Sequence, residues 1–257
     1  MIHFVGAGPG APDLITLRGA ALLEQADCVI YAGSLVNPAL LERTKQGCEI
    51  HNSAAMTLEQ VLAVMEAMEA AGKDTVRLHT GDPSLFGAIR EQMDALDARS
   101  IPYDDTPGVS SFSGAAAALN AEYTLPGVSQ TLIISRMAGR TPVPEGENLA
   151  ALARHGASLV LFLSSGLLEQ VQEELLRGGY GPKTPAAIVY KATWPEEKVV
   201  RCTVATLAQR GREENIRKTA LLLIGDFLDP RYQRSKLYDP TFATEFRPAQ
   251  APEEPTL

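Results

Sequence analysis

Short apolar runs that end in a glycine- or proline-rich loop and hand over to a helical pattern recur along this chain. That alternation constrains its fold more than any other feature. Residues 2–5 run into GAGPG, and Leu14, Leu17, Ala21 and Leu22 then mark one side of a helix-compatible stretch over 13–25. Residues 28–31 read as a second strand, followed by a turn at Gly33 and by Asn37, which can cap a helix opening on Pro38. Thr57 opens a clearer helix, with Leu58, Val61, Leu62, Met65 and Met68 at helical spacing and Gly72 as its stop. Residues 75–78 form a strand running into HTGDPSLFG, and 87–98 a helix. The turn TPGVSSFSG then leads into an alanine-rich helix ending near Asn120. Repeats of this kind imply a parallel sheet covered on both faces.

The second half carries strand patterns at 131–135, 159–163, 186–190, 199–203 and 220–224, with helical candidates at 148–154, 167–177 and 204–209. The last helix is too short and polar for a regular crossover, so the second sheet is expected to be mixed. The expected organisation is an N-terminal α/β domain over 1–118, a C-terminal α/β domain over 119–239 and a proline-rich flexible tail over 240–257.

Composition narrows the function. With 23 basic and 31 acidic side chains the formal charge is −8, which disfavours a nucleic-acid footprint. Cys28, Cys48 and Cys202 are odd in number and far apart, and His3, His51, His79 and His155 share no ligand spacing, so no metal site and no disulfide framework is expected. A start without a leader pattern and runs too short to span a membrane point to a reduced, cytoplasmic compartment.

The chemistry-bearing loops follow the strands. In GAGPG the glycines permit a tight turn and close backbone approach, but the spacing matches neither the dinucleotide nor the P-loop pattern, and Tyr31 stands where a ribose-binding acid would be expected. Asp82 can accept from a ligand or cap the next helix, with Pro83 in its first turn. Ser110, Ser111 and Ser113 offer the same choice. Arg136, Arg140, Lys191 and Arg201 are either solvated charges or partners for an anionic substrate, and Trp194 is core or an aromatic wall.

Taken in order, GAGPG, TGDPSLFG, PGVSSFSGAAAALN and VYKATWPEEKVV resemble the tetrapyrrole methylases over residues 1 to about 230. YAGSLVNPALL, RLHTGDPSLFGAI, TLPGVSQTLIISRMAGRTPVPEGE and SKLYDPTF are similar to the branch of that family acting on precorrin-4. The resemblance implies a two-domain α/β fold with the active cleft between the domains, a homodimer, and S-adenosylmethionine as methyl donor with S-adenosylhomocysteine as product. It implies methylation of precorrin-4, or cobalt-precorrin-4, at carbon 11 to give precorrin-5 in cobalamin synthesis. Family positions for the donor fall on Pro9, Thr80, Gly81, Asp82, Leu85, Ser110, Ser111, Leu163 and Ala192. Thr80 and Ala192 are often glycine in uroporphyrinogen-methylating relatives, and Leu163 stands where those relatives can carry methionine. No side chain declares itself as a general base, any cobalt belongs to the substrate, and a noncatalytic tetrapyrrole-binding protein is the alternative from another class.

Overall fold

The computed structural model describes residues 1–229 and 231–250. The first sheet contains β1 (Ile2–Gly6), β2 (Cys28–Tyr31), β3 (Glu49–Asn52), β4 (Thr75–His79) and β5 (Tyr103–Thr106), in the order β3-β2-β4-β1-β5. Every pairing in it is parallel, with Val5 level with Leu78 on one side and Thr106 on the other. Helices α1 (Leu17–Gln25), α2 (Leu58–Ala70), α3 (Arg90–Asp97) and α4 (Ser111–Leu119) complete this half.

Successive residues of a strand point to opposite faces, so a sheet covered on both sides needs unbroken apolar strands. Phe4 and Val5 are both fully buried. Phe4 joins Ile2, Cys28, Ile30, Val61, Leu62, Met65 and Leu96 on one face. Val5 joins Leu23, Val29, Val36, Leu40, Val76 and Leu78 on the other. Thr57 and Gln60 close a capping box at the start of α2, and Asn37 caps the short 3-10 turn Pro38–Arg43.

Two features depart from the sequence expectation. Strands β3 and β5, with sequences EIHN and YDDT, lie at the sheet edges, where polar side chains face solvent and the apolar signal vanishes. The helix expected from Gly87 begins at Arg90, because Phe86 (φ 57°) and Ala88 (φ 50°) are left-handed and exclude a right-handed turn.

The second sheet contains β6 (Leu132–Arg136), β7 (Ser158–Phe162), β8 (Pro185–Tyr190), β9 (Lys198–Thr203) and β10 (Ala220–Ile224), in the order β6-β7-β10-β8-β9. It is mixed, with β6 parallel and β10 antiparallel to β7. Of its helices, α5 (Leu149–Ala153), α6 (Leu168–Arg177) and α7 (Leu207–Glu213), α6 packs against both others. Leu168, Val171 and Leu175 form its buried stripe.

The chain divides into two compact units, one of residues 1–120, 189–199 and 218–221, the other of 121–188, 200–217 and 222 onward. A single boundary at 118/119 therefore omits the segment 189–199, which bonds to the GAGPG loop as described below. In the predicted tail, Arg247 donates to the carbonyls of Leu237, Asp239 and Phe242, while 251–257 lie outside the described residues. Among the described residues no helix is long and apolar enough to cross a membrane.

Candidate functional site

Strands β4, β1 and β5 are neighbours, so the loops leaving their carboxyl ends meet, the place where open α/β sheets bind ligands. The Gly8 amide donates to the Gly81 carbonyl at 3.3 Å and Gly81 returns the bond at 2.8 Å. Gly108 packs against Gly81 and Gly6. A Cβ there would lie 2.1 Å from the Gly81 oxygen and 2.7 Å from the Gly6 Cα, so no other residue fits. On its other side Gly81, at φ 61°, faces the start of α4, where a Cβ would sit 3.4 Å from the Ser111 nitrogen.

Asp82 holds this junction together. One carboxylate oxygen accepts the Ser84 amide at 2.9 Å together with the Ser84 hydroxyl, and the other accepts the Gly108 amide at 2.9 Å. Asp82 caps no helix, since the next one begins only at Arg90; its carboxylate closes a local turn and reaches on to the third loop. Such bonds to an ionised acceptor are the strong kind. Nearby, burial raises the Asp105 pKa, and the charges of Asp82 and Asp104 add to it. Ser110 is the N-cap residue of α4 and 7% exposed, yet its side chain makes no cap bond. Leu85 closes the Asp82 turn through its amide at 3.2 Å, and Thr80, half-buried, links β4 to it.

The GAGPG loop is gripped from its far side. Trp194 Nε1 donates to the Pro9 carbonyl at 3.1 Å, and the Ala11 amide donates to Thr193 Oγ1 at 2.9 Å. Asn37 Nδ2 donates to the Gly10 carbonyl at 2.9 Å. A Cβ on Gly10 would strike the indole at 2.0 Å, so Trp194 packs flush on this turn. Lys191 Nζ stands 5.0 Å from the indole centre and 3.2 Å from the Glu196 carboxylate.

The structure thus collects Pro9, Thr80, Gly81, Asp82, Leu85, Ser110, Ser111 and Ala192 in one unit. Leu163 belongs to the other, at the end of β7, with φ 52° and 68% exposure. Arg136, a candidate anion partner, spends its guanidinium on the carbonyls of Met137, Thr141 and Pro142.

Beneath the loops lies a polar chain that sequence reasoning missed. Arg77, 7% exposed on β4, donates to Gln92 Oε1 at 3.0 Å and to the Ile30 carbonyl at 3.1 Å. Gln92 Nε2 donates onward to the Ala88 carbonyl at 2.9 Å, tying the left-handed Phe86–Ala88 segment to the core. Burial lowers the Arg77 pKa to about 10, so it stays charged at neutral pH. The only available signal was a charge, Arg77, inside a strand buried on both faces.

His79 stacks on Phe4 at 6.2 Å, and burial, with the Arg77 charge added, pushes its pKa down to about 3. Its Nε2 is buried without a partner among the described residues. The unfolded chain takes up this proton near pH 6.5 and the folded one only near 3, so stability falls as pH drops through that window and is unaffected above it. His79→Gln is expected to flatten the slope of unfolding free energy by at most about 1.4 kcal/mol per pH unit, read from urea midpoints across that range. An unchanged slope would contradict a neutral His79.

Known proteins place this architecture. Residues 1–208 match the family described as Tetrapyrrole (Corrin/Porphyrin) Methylases. The chain is 51% identical to the cobalt-precorrin-4 C(11)-methyltransferase of Methanocaldococcus jannaschii, covering 96% of this chain and 95% of that one. It is 44% identical to the precorrin-4 C(11)-methyltransferase of a Sinorhizobium species, covering 96% and 98%. An X-ray structure of a cobalt precorrin-4 methyltransferase, described as a cobalamin biosynthetic enzyme, superposes with a TM-score of 0.87 at 48% identity over 89% of this chain and 96% of that one. A uroporphyrin-III C-methyltransferase from Thermus thermophilus complexed with S-adenosylhomocysteine superposes at 0.75 and 27% identity, over 88% and 98%. The three loops at the carboxyl ends of β4, β1 and β5 are therefore those of a chain that belongs to the tetrapyrrole methylase family.

Proposed function

We propose that this protein transfers a methyl group from S-adenosylmethionine to carbon 11 of precorrin-4, as a step of cobalamin synthesis. The observation that carries this reading is the junction of GAGPG, TGDPSLFG and PGVSS in a chain that superposes at 0.87 on a cobalt precorrin-4 methyltransferase. Two relatives named for cobalt-precorrin-4 are 51% and 48% identical and one named for precorrin-4 is 46% identical, which favours the cobalt-bearing form of this macrocycle.

The junction suits the donor chemically. Its sulfonium and ammonium are positive and are matched by the acidic surroundings of Asp82 and Asp105, while its carboxylate suits the amide-rich start of α4. In this reading Pro9, Thr80, Gly81, Asp82, Leu85, Ser110, Ser111 and Ala192 hold the donor, and Leu163 is added on the resemblance alone. When bound, the donor supplies an electrophilic methyl group. The protein's part is to fix positions and exclude water, because in-line displacement depends steeply on alignment. A cytoplasmic homodimer is the state proposed.

The test is an anaerobic assay with isotopically labelled S-adenosylmethionine and, separately, metal-free and cobalt-bearing precorrin-4. Label at carbon 11 is the expected result, with the faster substrate assigning the branch. Label at another carbon, or macrocycle binding without S-adenosylhomocysteine release, would overturn the reading.

A further inference from the structure

The loop after β4 carries Thr80, Gly81, Asp82 and Leu85, and it leaves the candidate site through a backbone that its own residues disfavour. Phe86 (φ 57°) and Ala88 (φ 50°) are both left-handed. That conformation is unfavourable for any residue with a Cβ, and neither side chain has the polar group with which asparagine or aspartate offsets it by bonding locally. Between them, Gly87 lies so close to the Pro83 carbonyl that a Cβ would stand 2.1 Å from its oxygen. The segment thus curls back onto the residue that follows Asp82, and groups outside it must hold it there.

The hold comes from the core. Gln92, 5% exposed in the first turn of α3, donates through Nε2 to the Ala88 carbonyl at 2.9 Å and accepts from Arg77 Nε at Oε1, at 3.0 Å. Arg77, itself buried, is anchored by a second bond to the Ile30 carbonyl on β2. A guanidinium can only donate. The amide beside it must therefore present its oxygen to Arg77, which leaves the NH2 group to face Ala88. Burying a cation against neutral oxygens is costly, and here the charge fixes which way the Gln92 amide points.

We propose that Arg77 and Gln92 are positioning residues of the methyl-donor site, a buried brace that keeps the loop after β4 in its binding shape. The connection runs from β2 through Arg77 and Gln92 to Ala88, then through Gly87 to the Pro83 carbonyl, one residue from Asp82. Both side chains lie in the core and act on the donor only through this loop. That the loop holds the donor rests on the function proposed above; the brace itself does not.

The test turns on Gln92→Glu. Its carboxylate, kept ionised by the adjacent guanidinium, still accepts from Arg77, so the core stays paired, but an oxygen replaces the NH2 group that faces Ala88 and the brace is cut at the loop. Titration with S-adenosylhomocysteine should show about tenfold weaker binding, with Tm within about 3 °C of wild type. Amide hydrogen exchange over residues 84–89 should be faster in the ligand-free variant. Ala88→Gly, which relieves one left-handed residue, should restore about fivefold in affinity when added to Gln92→Glu. In the methylation assay Gln92→Glu should raise KM for S-adenosylmethionine and keep kcat. Wild-type affinity or wild-type exchange over 84–89 in Gln92→Glu would overturn the proposal, as would a loss of affinity accompanied by exchange raised equally throughout the first unit. A wild type that fails to bind S-adenosylhomocysteine, with the exchange contrast at 84–89 intact, would overturn the functional reading and leave the brace standing.

Discussion

Asp82→Ala is expected to weaken S-adenosylhomocysteine binding about a hundredfold, close to 2.7 kcal/mol, while the protein stays folded. The carboxylate accepts from Ser84 at one oxygen and from Gly108 at the other, and so joins the loop after β4 to the loop after β5. Bonds to a charged acceptor are worth about 1.5–3 kcal/mol each, and without them the two loops would have to be ordered by the ligand itself. Asp82→Asn keeps one acceptor oxygen but turns an amide NH2 toward the other donor, so about a tenfold loss is expected, intermediate between wild type and alanine. Calorimetric titration with S-adenosylhomocysteine, alongside a thermal melt, measures both. Unchanged affinity in Asp82→Ala with an unchanged melt would remove Asp82 from the binding machinery.

Gly108→Ala should be among the most damaging single methyl additions in the first unit. Its Cβ would stand 2.1 Å from the Gly81 carbonyl oxygen and 2.7 Å from the Gly6 Cα, and both are backbone atoms that cannot rotate aside. Relief requires the loops after β1, β4 and β5 to separate, breaking the reciprocal Gly8–Gly81 bonds. Overpacking of this kind costs about 3 kcal/mol, which for a chain of this size lowers Tm by about 8 °C, and donor binding should be lost with it. Gly146→Ala is the matched control, since a Cβ there meets nothing within 4 Å, and it should shift Tm by less than about 2 °C. If the two variants melt together, the close approach of the three loops is not what holds the site.

How far the amino-acid pattern reaches can be judged from particular elements. Helix α2 was legible because its cap, apolar stripe and glycine stop agree, and β10 because Ala220–Ile224 is wholly apolar and wholly buried. Edge strands β3 and β5 carry too little buried surface to leave a pattern. Pro9, Gly81, Asp82 and Ser110 were readable as loop residues at strand ends, but what each does depends on neighbours distant in sequence. Asp82 takes its second bond from Gly108, 26 positions on, and Pro9 takes its bond from Trp194, 185 positions on. The Arg77–Gln92–Ala88 chain left no trace beyond the charge of Arg77 within its strand, because a buried guanidinium is satisfied only by tertiary partners.

The grip of Trp194 and Thr193 on the GAGPG turn also bears on how the protein is made. A nascent chain that has emerged as far as Asn120 already contains all five strands of the first sheet, together with Asp82 and Gly108. Its Pro9 carbonyl and Ala11 amide still await partners near residue 194. At about 5–20 residues per second of synthesis, the sheet has several seconds to form before its ligand loop can be completed. The first unit is therefore begun by the opening residues and finished only after most of the second has been translated.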